Sequence, residues 1–462
     1  VSQPDRNRAG SAAAITLWSE LTRREAPAAK PRRPLRAVRN LIWAYFWLLI
    51  LEGVLRKWVV PSLSTPLLFI RDPIPVIALY LAIRERAVKR TIVVYIAGFL
   101  ALAMTLAGFY MLPKTPWVVV YGFRCDFLHL LMIPLIIETF EPRDIARFTV
   151  AMIVVSVPVA LLMDWQFHSA PNAWINSGVD GTFKQLDASQ GHIRPPGPFT
   201  FTVGPALFYS LLAALIVGAA VDGRGIPRPL LLVGTVSLIV AAMYSVSRGL
   251  IGQVLIVLTV GLLGALVGNR QALGRYVGVA VAVALVALVV GTSSLMQESV
   301  SVFSTRVTIT SQQEGGVSGI LDRYFGDYVS IIPALRDAPY AGYGLGYGTN
   351  GGAAALTGSV TYLLAEREWP RVVYESGPVL GVLYILFRVS ILAALGWQAF
   401  LSVRRGKVLA ACLLGACGVN VIAGQFGQTT ALGFTVLTVG LCFAAGKRPD
   451  EAPGVAEAPS AA

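Results

Sequence analysis

Apolar runs of bilayer length recur along this chain and decide its fold class before any other property is weighed. They fall near 38–55, 66–83, 91–110, 117–138, 146–166, 198–220, 229–247, 250–268, 275–293, 376–398, 407–425 and 430–446. Several approach or exceed the roughly 18 to 20 residues that carry an α-helix across the hydrocarbon core. Runs of this length are helix-sized rather than strand-sized. The expectation is an all-α, polytopic membrane helical bundle of about twelve transmembrane helices, with two large outer loops near 166–198 and 292–374. Composition agrees, since 55% of the 462 residues are hydrophobic and 14% charged. A mean hydropathy of +0.66 excludes an ordinary soluble globule.

A net charge of +13 would suggest nucleic acid in a soluble protein. Here the positive residues are spread among short interhelical segments and the amino-terminal stretch, where membrane topology and anionic lipid headgroups account for them, so no nucleic-acid partner is expected. With a cytoplasmic amino terminus, the segments RERAVKR (84–90), EPRDIAR (141–147), DGRGIPRP (222–229), NRQALGR (269–275), RRGK (404–407) and the carboxyl-terminal KRPDE share one side. Together with the amino-terminal stretch they hold about 24 of the 38 lysines and arginines, as the positive-inside rule expects. Residues 1–37 read as a basic cytoplasmic tail, 38–446 as the transmembrane domain and 447–462 as a disordered cytoplasmic tail. The same topology places both large polar segments on the outer face. Transporters concentrate polar residues at mid-membrane, so polar investment in two loops on one face points to an enzyme.

Ionisable residues within spans are functional candidates by default. In YGFRCDFLH, Arg124 and Asp126 sit two turns into the fourth span, with His129 one turn further. They read either as a structural ion-pair arrangement or, for Arg124, as the lining of a cavity for an anionic substrate. Glu52, Arg56 and Lys57, followed by Arg71 and Asp72, read as interfacial snorkelling with local salt bridges, or as a charged collar on the outer side. Arg194, Arg248, Arg306 and Arg323 lie on the outer side, where topology selects against arginine. A guanidinium offers a planar fork of donors suited to diphosphate oxygens, so these four form a candidate clamp; four unrelated surface arginines are the alternative. The GxGxxG-like run at Gly342–Gly348 lacks the flanking strand and helix of a nucleotide site. With Pro339 it reads as a helix end and a turn back towards the membrane. Cys125, Cys412, Cys417 and Cys442 fall inside apolar runs with no metal-binding spacing, and the polar segments hold no acidic pair that reads as a metal site.

Motif order adds a resemblance. Arg194-Pro-Pro-Gly-Pro-Phe199, Ser245 to Gly249 (SVSRG), the run Pro339 to Gly346, and Glu375-x-Gly377-x-x-x-Gly381 follow one another between Trp117 and Gly381. In this the chain resembles the bacterial O-antigen polymerase and O-antigen ligase superfamily. The resemblance implies an inner-membrane glycosyltransferase whose donor is an undecaprenyl-diphosphate-linked oligosaccharide, with both termini cytoplasmic and the active site facing the periplasm. Membrane lipids and other polysaccharide assembly proteins are the further partners implied. Many relatives carry a His-Asn pair nine residues before the glutamate of E-x-G; here that position is Glu366, followed by Arg367. Glu366 is therefore the expected general base, with Glu368 as second candidate. Arg194, Arg248 and Arg323 are the expected diphosphate clamp, Arg124 and Arg306 its outer members, and Tyr324 either a platform for a sugar face or an anchor of an amphipathic helix on the membrane surface. No cofactor and no metal are expected, and a single displacement would invert the anomeric centre. The absent histidine favours polymerisation of repeat units over ligation to lipid A-core, and a flippase for the same lipid-linked saccharides is the remaining alternative.

Overall fold

The computed structural model describes residues 35–87, 91–179, 185–223, 225–268, 270–313, 317–359 and 361–447, of which 310–313, 317–325 and 327 are described by backbone alone. It is 78% helical with almost no strand, so the all-α expectation holds. The helices are α1 (Arg36–Val54, prolonged by a π-helical turn, Leu55–Val59), α2 (Pro73–Arg84), α3 (Ile92–Met111), α4 (Pro116–Asp126), α5 (Met132–Thr139) and α6 (Pro142–His168). Then follow α7 (Val203–Asp222), α8 (Arg228–Tyr244), α9 (Arg248–Val267), α10 (Arg270–Gly291), α11 (Gln297–Gln313) and α12 (Val317–Asp337). The last four are α13 (Asn350–Thr357), α14 (Glu368–Arg404), α15 (Leu409–Ala423) and α16 (Thr429–Gly446).

Among the described residues, nine helical segments are long and apolar enough to cross a membrane, which marks a multi-pass membrane protein. Each of the twelve expected segments contains an apolar helix, but α2, α8 and α15 are shorter than that standard. Twelve residues of α-helix rise only about 18 Å, so α2 in particular does not reach across a bilayer core by itself. The expected count of twelve thus stands against nine segments that meet this standard among the described residues.

The bundle is built around α7, which is buried from Gly204 to Asp222 apart from Ala220. A helix apolar on every side belongs in an interior, and α7 packs against α9, α15, α8 and α16. In contrast, α3 and α10 present Phe99, Leu102, Leu285, Leu288 and Val289 outward, a surface suited to lipid tails.

The basic interhelical segments gather at one end. Arg39 Nη2 donates to Thr139 O at 3.1 Å, Arg275 Nη1 to Val221 O at 3.4 Å, Arg405 Nη2 to Gly446 O at 2.5 Å and Lys447 Nζ to Ile137 O. Each cation neutralises orphan carbonyls and the negative dipole end of a helix carboxyl terminus. At the same end Asp222 caps α15 from another helix: Val408 N donates to its Oδ1 at 2.7 Å and Leu409 N to its Oδ2 at 3.3 Å.

The stretch 292–374 is largely helical. It folds into α11, α12 and α13, because SGILDRYFGDYVSIIPAL spaces apolar residues at three and four; Ile331, Ala334 and Leu335 of α12 pack on Val372, Val373 and Tyr384 of α14. The 166–198 stretch contains an antiparallel hairpin, β1 (Asp187–Ser189) and β2 (His192–Ile193). That hairpin docks on α11, where Arg306 Nη1 donates to Asp187 O at 3.0 Å and Gln190 Nε2 to Thr305 Oγ1 at 3.0 Å. The two polar stretches therefore meet.

Removing the cap across helices by Asp222→Ala is expected to destabilise the protein by about 1–2 kcal/mol. Thermal unfolding in detergent measures this; an unchanged midpoint would show that the cap contributes nothing.

Candidate functional site

The site grows from the first turns of α14. In EWPRVVYE, Glu368, Arg371 and Glu375 are spaced three and four apart and so share one helix face. The helix breaks directly afterwards, at Gly377 (φ 78°, ψ 166°) and Pro378. Pro378 has no N–H for the carbonyl of Tyr374, and the break also frees that of Glu375. Both are taken by the strap that follows α12: Tyr343 N donates to Tyr374 O at 2.7 Å and Gly344 N to Glu375 O at 3.0 Å. The strap then passes against α4 at Gly346, where φ is 88° and a Cβ would lie 2.1 Å from Val118 O. Only glycine fits both that conformation and that gap. The glycine run thus turns the chain back, as its composition suggested.

Arg371 is the centre of a buried ionic lattice. Its Nε and Nη2 donate to Glu368 Oε2 and Oε1, both at 2.9 Å; Nη1 donates to Glu375 Oε2 at 2.7 Å, and Nη2 also to Asp126 Oδ1 of α4 at 3.0 Å. Glu375 Oε1 accepts from Gly348 N of the strap at 2.8 Å. Arg388, half-way along α14, donates from Nη1 to Glu368 Oε1 at 2.7 Å. It also donates to the carbonyls of Val421 (2.8 Å) and Gly424 (2.8 Å) at the end of α15, and its guanidinium lies 3.9 Å from the Phe426 ring centroid. Arg371, Glu368, Glu375, Asp126 and Arg388 are all buried.

A second lattice forms a collar beside it. Glu52 Oε2 accepts from Arg71 Nε at 2.8 Å and its Oε1 from Arg56 at 3.1 Å, while Arg71 Nη2 donates to Thr429 O at 3.1 Å. Arg124 Nε donates to Asp72 Oδ2 at 2.5 Å and its Nη2 to Leu68 O at 2.6 Å. His129 Nε2 stands 3.2 Å from Asp72 Oδ1, and its Nδ1 bonds Tyr45 Oη at 2.9 Å. Arg124 and Asp126 do not neutralise each other, because residues two apart point to different sides of a helix. Each pairs with a different element, Arg124 with the chain entering α2 and Asp126 with α14.

Above the Arg371 lattice lies a small open cleft, walled by Thr349, Asn350, Tyr362, Glu366, Gln425 and Gln428, with Glu368 and Arg371 at its base. Glu366 is exposed; its main-chain oxygen accepts from Gln425 Nε2 at 2.7 Å, and Gln428 Nε2 bonds the Gln425 amide oxygen. Burial, together with the Glu366 charge beside it, pushes the Tyr362 phenol above its usual range, so it remains an O–H donor. Carboxylate, amides, hydroxyl and phenol face one space.

Of the residues singled out in the sequence, Glu366 and Glu368 come together at this cleft. Glu368 is its buried base, each oxygen engaged by a guanidinium, and Glu366 is its exposed wall. Arg194 and Arg306 flank the hairpin: Arg194 N donates to Leu186 O at 2.8 Å, and Arg306 holds β1 from α11. Arg248 opens α9 after the sharp turn at Val246 (φ 44°). Arg124 belongs to the collar. The side chains of Arg323 and Tyr324 lie outside the described residues. Sequence reasoning passed over Arg371 and Arg388. The E-x-x-R-x-x-x-E spacing was the signal for the first, and a lone arginine in the apolar run YILFRVSIL the signal for the second.

No protein-family model matches the chain, and no curated protein matches it.

Arg371→Met leaves three buried carboxylates facing one remaining guanidinium and is expected to cost about 3–5 kcal/mol. Arg371→Lys should rescue little, since an ammonium cannot span the fork. Detergent-solubilised yield and melting midpoint read this directly, and wild-type values for Arg371→Lys would contradict the fork argument.

Proposed function

We propose that this protein is a membrane glycosyltransferase that polymerises polyprenyl-diphosphate-linked oligosaccharide repeat units, taking an undecaprenyl-diphosphate-linked donor on the periplasmic side of a bacterial inner membrane. The observation that carries the reading is the cleft. An exposed carboxylate, Glu366, stands beside the amides of Asn350, Gln425 and Gln428 and the phenol of Tyr362, a set of groups that suits the hydroxyls and faces of a sugar. It opens beside membrane-spanning helices, where a lipid-linked donor is held. The order of motifs from Arg194 to Gly381 supports the same reading.

The chemistry assigned to these residues is one displacement. The acceptor hydroxyl gives its proton to the Glu366 carboxylate as its oxygen attacks the anomeric carbon. The bond from that carbon to the diphosphate oxygen breaks, its electron pair leaves with the polyprenyl diphosphate, and the centre inverts. Negative charge grows on the departing diphosphate, and preorganised guanidiniums stabilise it; Arg194 and Arg248 hold this role, and Arg323 and Arg306 are assigned to the same clamp. Glu368 is held by two guanidiniums and so keeps its charge through the reaction, which leaves Glu366 as the proton acceptor. Arg124, fixed by Asp72, acts as a post of the collar in this scheme. The step is metal-independent, so chelators are expected to leave the rate unchanged.

The buried ionic lattices favour one second reading, a transporter for the same lipid-linked saccharides, since polar interiors serve translocation too. Transport consumes no donor, whereas transfer releases polyprenyl diphosphate.

Glu366→Gln is expected to lower polymer formation by at least about 100-fold while the protein still folds and binds donor. In cells carrying this variant, lipid-linked single repeat units should accumulate. Full activity in the variant would remove Glu366 as base, and accumulation of finished polymer on the lipid carrier would assign ligation instead.

A further inference from the structure

The turn that carries Arg194 is held by a lysine to which the scheme above gives no part. Lys57 lies in the π-helical turn that prolongs α1 and is buried. Its ammonium donates to the main-chain oxygens of Gly197 at 2.7 Å and Phe199 at 2.8 Å and lies 4.1 Å from the Trp58 ring centroid. Among the described residues Lys57 has no ion-pair partner, and burying an ammonium in that state is costly; a methionine would fill the same space more cheaply. The two hydrogen bonds must therefore matter. They go to a segment whose prolines, Pro195, Pro196 and Pro198, have no N–H with which to build a ladder of their own.

Other elements close on the same turn. Gly197 N donates to Oε1 of the buried Gln166 in α6 at 2.8 Å, and Gln166 Nε2 donates to Ile175 O at 3.1 Å. The α1 backbone passes so close that a Cβ on Gly53 would lie 2.2 Å from Pro198 O. The Phe199 ring packs on Phe208 of α7 and Phe434 of α16 at centroid distances of 5.9 and 5.6 Å. Four helices thus fix Gly197 to Phe199, three residues beyond the half-buried Arg194.

We propose that Lys57 is a positioning residue for Arg194: by cross-linking the carbonyls of Gly197 and Phe199 to α1, its ammonium sets where the Arg194 guanidinium meets the diphosphate of the donor. The proposal rests on the reading of Arg194 as a diphosphate ligand. Lys57 touches neither donor nor acceptor and acts through the backbone of the turn.

Two measurements on the full-length protein in detergent test it. The first is equilibrium binding of undecaprenyl diphosphate to wild type, Lys57→Met, Arg194→Ala and the double variant. Each single variant is expected to bind about tenfold more weakly, and the double variant no more weakly than Arg194→Ala alone. The second is amide hydrogen exchange, expected to rise at least about tenfold at Gly197 and Phe199 in Lys57→Met, and not in Arg194→Ala. Lys57→Arg keeps donors for both carbonyls and should restore part of the binding. If Lys57→Met is not recovered folded, Lys57→Gln, which retains one donor group, is read by the same criteria. Additive losses in the double variant, or wild-type binding by Lys57→Met, would overturn the proposal while leaving the transferase reading intact. A wild-type protein that does not bind undecaprenyl diphosphate overturns both.

Discussion

One guanidinium facing three buried carboxylates is the contact on which the candidate site depends. Arg371 gathers Glu368 and Glu375 from its own helix and Asp126 from α4, and Glu375 in turn holds the strap through Gly348. Arg388 ties the same lattice to the carboxyl end of α15. Buried charges are costly unless they are paired or hydrogen-bonded, so these elements have little freedom to move independently. The helix break at Gly377 and Pro378 belongs to the same construction, because the carbonyls it releases are the ones to which the strap donates.

In the proposed reading this rigidity divides the labour between neighbouring carboxylates. Glu368 and Glu375 are spent on structure, whereas Glu366, two residues before Glu368, stands in the open wall of the cleft. A group meant to exchange protons with a substrate needs access, and a group meant to fix geometry needs locked partners. The collar of Glu52, Arg71, Asp72 and Arg124 extends the fixed part towards Thr429, next to Gln428 of the cleft. On another side of α1, Lys57 and Gln166 fix the turn after Arg194. Buried polar contacts thus fix both the turn that follows Arg194 and the helix start that carries Glu366.

Much of the fold was legible in the sequence because apolar run length is a one-dimensional signal. It placed an apolar helix in each of the twelve segments, but it could not give the helix lengths, so short apolar helices such as α15 read like long ones. Within the stretch 292–374 the helices were less legible, because a polar composition masks a three-and-four spacing of apolar residues that is clear in α12 once helix is considered. The cleft was partly legible: Glu366 and Glu368 were singled out from motif spacing. Arg371 and Arg388 were not, because their meaning lies in partners up to 245 residues away in sequence, which no local pattern records. Arg124 and Asp126 were noticed as adjacent opposite charges, yet helix geometry sends each to a different partner.

The central claim is that the chain transfers sugars rather than moving them. Detergent micelles have no compartments to transport between, so purified protein incubated there with an undecaprenyl-diphosphate-linked oligosaccharide separates the two. The account predicts that longer lipid-linked oligosaccharides form and that free undecaprenyl diphosphate is released in step with them. Unchanged donor in the presence of folded protein that binds it would contradict the account.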